Sequence, residues 1–246
     1  MTGVDDVQTP AVEVWARATA TAPEPPLWLV LGAAALALAG VLSRPVWPRL
    51  RHLVTIAHEG AHGVAAALTG RRLRGIRLHS DTSGVAVSSG PVRGPGMVLT
   101  AAAGYPGPAL VGLGAAALLA AGRPAAVLWV VLAALALLLV QIRNWFGLWS
   151  VLVTGTGVLA VTWWAPPLAQ SAAAHLLTWF LLLAAPRPVA ELSRARRSGR
   201  ARDSDADQLA RLTPLPGGAW VALFALVCLA ALGLGGSWLL RAASPG

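Results

Sequence analysis

The chain has 246 residues, 56% of them hydrophobic and only 12% charged, with a mean hydropathy of +0.65. That is too apolar for one soluble core, so a lipid bilayer must act as solvent for much of the surface. The net charge of +9 comes from arginine alone, because there is no lysine, and the arginines gather at the ends of apolar runs as cytoplasmic loops of membrane proteins do. Topology explains them better than nucleic acid, and no nucleic-acid partner is expected.

Residues 1–26 carry Asp5, Asp6, Glu13 and Glu24 and end in Pro23, Pro25 and Pro26. They lack the basic start of a secretory signal and read as a polar, poorly ordered tail. Leu27 to Leu42 is expected as a retained first transmembrane helix, followed by a basic stretch from Arg44 to His52. A helix is then expected from about Leu53 to Thr69, stopped by Gly70. In Arg71 to Gly90, Ile76 and Leu78 and then Val85 and Val87 lie on either side of the polar Ser80 to Gly84 turn, the pattern of a small hairpin. Four apolar helices follow at about Gly96 to Ala121, Ala125 to Ile142, Phe146 to Trp164 and Leu168 to Ala185. Arg187 to Leu212 is polar and Arg-rich, and a last helix runs from about Gly218 to Leu240.

The fold class is therefore an all-α polytopic membrane protein, a bundle of about six to seven transmembrane helices with a small β-hairpin. Residues 27–242 read as one transmembrane domain, with 187–212 a cytoplasmic loop within it. Arginine placement puts Arg143 and the hairpin on the cytoplasmic side with Arg187 to Arg211. Both ends of the helix from Leu53 then face the cytoplasm. Either the hairpin folds back into the membrane or Arg71, Arg72 and Arg74 are translocated. The lone Cys228, in an apolar run, excludes a disulfide framework or a cysteine zinc cluster within the chain.

The chemistry lies in His58-Glu59-Gly60-Ala61-His62, an H-E-x-x-H pattern. On a helix, histidines four apart project from one face and can reach a single ion, with Glu59 beside its water as general base. A glutamate between two histidines in an apolar helix is costly in lipid unless it meets a cavity or a cation. Two histidines leave zinc needing a third protein ligand, and the candidates are Asp81, Glu191, Asp203, Asp205, Asp207, His52, His79 and His175. Asn144, at the end of a long apolar helix, is a candidate to hydrogen-bond a substrate backbone or an oxyanion.

The chain resembles the site-2 protease family of intramembrane zinc metalloproteases, in its compact branch without a PDZ insertion. The resemblance rests on His58 to His62, Gly63, Ala65 to Gly70, Asp81 to Gly84, Ala103-Gly104-Tyr105, Arg143-Asn144, Phe146-Gly147, Ser204-Asp205-Ala206 and Leu209-Ala210. It covers about residues 50 to 240. It implies a zinc site below the membrane surface and a hairpin that presents a membrane-protein substrate in extended form. The family's usual Leu-Asp-Gly ligand sequence is absent, and Ser204-Asp205-Ala206 makes Asp205 the implied third ligand, ahead of Asp207, Asp203 and Asp81. A zinc endopeptidase is the leading expectation. The alternatives are an inactive relative that binds membrane clients and, further behind, a metal-ion transporter. Composition rich in Ala, Gly, Arg and Pro suggests a high-GC bacterium and its plasma membrane.

Overall fold

The computed structural model describes residues 10–200 and 203–243. The first nine residues of the expected polar tail, Asp5 and Asp6 among them, lie outside the described residues. The rest of that tail contains helix α1 (Pro10–Thr19), in which Arg17 pairs with Glu13 at 2.7 Å and lies over the Trp163 ring. Helix α2 (Leu27–Leu42) turns by 105° into α3 (Trp47–Leu68), which begins earlier than periodicity implied because Pro48 is tolerated in a first turn. Gly70, at φ +72°, ends α3 as expected, and the N–H groups of Gly70 and Arg71 close its last carbonyls.

The hairpin consists of β1 (Arg72–Leu78) and β2 (Gly84–Ser89), antiparallel with a bulge between Leu73 and Gly75. The free edge of β1 is occupied: Ile76 bridges Ile142 in parallel, and the Arg143 N–H donates to the Ile76 carbonyl at 2.9 Å. The helix expected across Gly96 to Ala121 is two helices, α4 (Pro95–Ala103) and α5 (Gly107–Ala120), bent by 74°. Pro106 has no N–H to continue the ladder and crowds the turn before it, so the chain breaks at Gly104-Tyr105-Pro106.

Helices α6 (Pro124–Gln141) and α7 (Trp145–Trp164) pack as neighbours, joined through Arg143-Asn144. Helix α8 (Pro167–Ala184) continues almost directly into α9 (Pro186–Arg197), and α10 (Asp205–Leu212) leads to α11 (Gly217–Arg241). The stretch expected as a polar loop is thus largely helical. Its buried residues, Val189 with Leu192 and Ala206 with Leu209, stand three apart on otherwise polar helices, an inward stripe that average polarity conceals.

Four helical stretches are long and apolar enough to cross a membrane: α6, α7, α8 with α9, and α11. The bent pairs α2–α3 and α4–α5 raise the number to six if each is one span, which is how the expected bundle is realised. The chain is an integral membrane protein. Its main core joins α2, α5, α8 and α11 around Val30, Ala116, Leu182 and Leu239. A second cluster, Ile56, Ile76, Leu78, Leu138, Ile142 and Val151, fastens the hairpin to α3, α6 and α7.

Candidate metal centre

Helix α3 places His58, Glu59 and His62 within one turn, with Glu59 and His62 buried and His58 partly so. The His62 ring is oriented by the main chain of α4: its Nδ1 lies 2.7 Å from the Thr100 carbonyl, which can only accept. In the neutral ring the proton is therefore on Nδ1 and the Nε2 lone pair is free, the tautomer that a metal ligand needs. His62 Nε2 stands 3.1 Å from His58 Nε2.

Asp205 completes the group. It opens α10, directly after the N-cap Ser204, whose hydroxyl oxygen accepts from the Asp207 N–H while the Asp207 side chain accepts from the Ser204 N–H, a capping box that fixes the start of the helix. Its Oδ2 lies 3.3 Å from Nε2 of both histidines and is buried without a hydrogen-bond partner. Three ligand-type atoms with edges of 3.1 to 3.3 Å match one face of a tetrahedron whose centre is about 2.0 Å from each corner, the usual length of a zinc–nitrogen or zinc–carboxylate bond. A buried carboxylate oxygen that faces the Nε2 lone pair of His62 and has no hydrogen-bond donor is repulsive unless a proton or a metal cation lies between them. His58, His62 and Asp205 are thus a group that could hold a metal ion, and they are the one such group of three among the described residues.

Two glycines make room for this arrangement. At Gly104, in the α4–α5 break, a Cβ would stand 2.6 Å from His58 Nε2 and closer still to His62 Nε2. At Gly84, the first residue of β2, a Cβ would stand 2.7 Å from Glu59 Oε1. Strand β2 therefore roofs Glu59. Tyr105 meets the His58 ring edge to face at 4.9 Å and stacks on Phe224 of α11 at 5.3 Å, an apolar wall on the other side.

The other candidate ligands are engaged elsewhere. Asp81 accepts from the Ser83 N–H and hydroxyl in an exposed turn, bonds that hold its pKa below the ordinary carboxylate value. Asp207 pairs with Arg196 and Ser204, Asp203 lies 3.7 Å from Arg211, and Glu191 accepts from Trp47 and Arg187. His52 packs on Phe146, His79 on the Ser83 hydroxyl, and His175 on the Ser171 carbonyl of its own helix.

Asn144 has a structural partner where a substrate contact was expected. Its Oδ1 accepts from the Leu78 N–H at 3.2 Å and its Nδ2 donates to the Leu78 carbonyl at 2.6 Å, so the amide pairs with β1 as another strand residue would. Residue patterns did not point to the Thr100 carbonyl. Gly84 and Gly104 entered only within the segments that carry the family resemblance, and spacing alone read Gly104 as close helix packing.

Fold and site together define a polytopic membrane protein with a candidate metal centre of two histidines and an aspartate. The family model described as Peptidase M50B-like matches residues 31–235, and the chain belongs to that family. No curated protein and no solved structure matches the chain.

Proposed function

We propose that the chain is an intramembrane zinc metalloprotease that hydrolyses peptide bonds in a membrane-embedded or membrane-adjacent protein segment. The observation that carries the reading is the tetrahedral face formed by His58 Nε2, His62 Nε2 and Asp205 Oδ2, with Glu59 one residue from the first. When bound, zinc supplies Lewis acidity that lowers the pKa of a water and polarises a carbonyl oxygen. Glu59 takes the proton of the attacking water on its carboxylate and returns it to the departing amine, so one residue serves as base and then acid. Its burial beneath β2 keeps bulk water from competing for that proton.

The hairpin supplies the binding edge. The edge of β1 is already paired with the chain at Ile142 to Asn144, whereas among the described residues no strand pairs with the outer edge of β2. An extended segment added along β2 lies over the carboxylate, satisfying its backbone by strand addition. Of the two observations that would favour a client-binding scaffold without catalysis, one is absent, because Asp205 does approach the histidines; the other is the zinc content.

Purified protein is expected to hold one zinc per chain and to cleave a membrane-protein substrate. Glu59→Gln keeps the zinc and loses about 10²- to 10⁴-fold in cleavage rate, whereas His58→Ala loses both. Cleavage at the parent rate by Glu59→Gln removes the mechanism. Wild-type protein without stoichiometric zinc removes the centre and leaves the scaffold.

A further inference from the structure

We infer that the outer face of the hairpin is a binding site for the phosphate headgroup of an anionic lipid, held by Arg74, Arg77 and Arg143. The three arginines, with His79, Val85 and Val87, line a concavity of about 360 Å³ that contains no carboxylate. Among the described residues none of the three has an acidic partner, while Arg51, Arg187, Arg196 and Arg211 all do. Arg74 is steadied by the Ser89 hydroxyl at 2.9 Å and Arg143 by the Val140 and Ile142 carbonyls, and among the described residues the Arg77 side chain has no hydrogen-bond partner. Most of their guanidinium donors are left for a ligand, and forked donors of this kind match phosphate oxygens.

The floor is built to hold Arg143 there. Gly75 sits at φ +149°, and a Cβ on it would collide with the Arg143 side chain, so glycine lets that side chain lie flat across β1.

Depth argues for a lipid. Helices α6 and α7 have 18 and 20 residues, about 27 to 30 Å at the helical rise, which is just the thickness of the hydrocarbon layer. Their joining turn, Arg143-Asn144, is therefore at a bilayer surface. Trp145, 85% exposed, marks the same level, where tryptophan collects. The pairing of Ile76 with Ile142 brings the arginines of β1 to that depth too. Val85 and Val87, about half exposed on the same face, lie beside the guanidiniums and offer acyl chains an apolar strip. A phosphodiester with attached chains fits both halves.

The test uses the full chain in neutral detergent and native mass spectrometry with added phosphatidylglycerol or phosphatidylcholine. Wild type is expected to retain one phosphatidylglycerol in preference to phosphatidylcholine. Arg77→Gln should weaken that retention about fivefold, and Arg74→Gln with Arg77→Gln about thirtyfold. Arg123→Gln, in the turn between α5 and α6, should leave it unchanged, and equal melting temperatures of all variants control for folding. Equal retention of the two lipids, or an unaltered double variant, overturns the site. Displacement by millimolar inorganic phosphate would make the ligand a free anion, and displacement by an Asp- and Glu-rich peptide would make it an acidic protein segment. Either result overturns the lipid. None of these readouts depends on zinc or proteolysis.

Discussion

A methyl group on residue 104 would press against both imidazoles at the atoms that face Asp205. The rings cannot move far, because His62 is tied to the Thr100 carbonyl and His58 is wedged against Tyr105. Gly104→Ala is therefore expected to lower zinc affinity about 10- to 100-fold, measured by competition with a chelator, while the helical circular-dichroism signal persists. Asp205→Asn keeps the shape but removes the charge that offsets a divalent cation, and a drop of about 100-fold or more is expected in the same assay. At this scale the motif was legible because histidines four apart on a helix must share a face. Asp205 was not legible from spacing, since it lies 143 residues beyond His62 and the seven other candidate acids and imidazoles were equally available by type.

The hairpin is anchored near its turn from two sides, and the anchors differ in consequence. At its tip Arg51 donates to the Thr82 hydroxyl at 3.0 Å and lies 3.4 Å from Glu191, while the Thr55 hydroxyl donates to the Thr82 carbonyl at 2.8 Å. On its other side, where β1 enters the turn, Asn144 holds Leu78. Asn144→Ala leaves the Leu78 N–H and carbonyl without these partners, which costs about 1 to 3 kcal/mol and should appear as a lower melting temperature. A further prediction concerns α10. Burial raises the Asp207 pKa, but Ser204 and Arg196 outweigh it and hold the carboxyl below its ordinary 3.8. A depressed folded-state value means the stabilisation is full above the unfolded pKa and disappears as pH falls through the folded one. Between about pH 5 and pH 3 the melting temperature of wild type should fall more steeply than that of Asp207→Asn. Alternating residues around a polar turn made the hairpin readable in advance. The α4–α5 break and α9–α10 were not, because a glycine–proline step inside an apolar run and an inward stripe on a polar helix both disappear in averages over many residues.

For the whole molecule, lipid removes the usual reason for apolar helices to associate, so close approach has to come from shape. The main core shows how: Gly112 of α5 and Gly235 of α11 both face Leu182 of α8, where an added Cβ would come within 3.1 and 3.0 Å of that side chain. This packing also bears on the metal centre, because α10 connects to α11 through Gly217, where a Cβ would collide with Arg196. Gly235→Leu should overpack the α8–α11 contact and lower stability by about 1 to 3 kcal/mol. Gly233, two residues earlier on the same helix, has nothing within 4 Å of its would-be Cβ. Gly233→Leu gains the same helix propensity without the clash, so its stability should be unchanged or slightly higher. Denaturation of the two variants side by side in one detergent isolates packing from propensity. Equal stability would mean that α11 can slide away from α8 at little cost, and that something other than this glycine face sets where α10 presents Asp205.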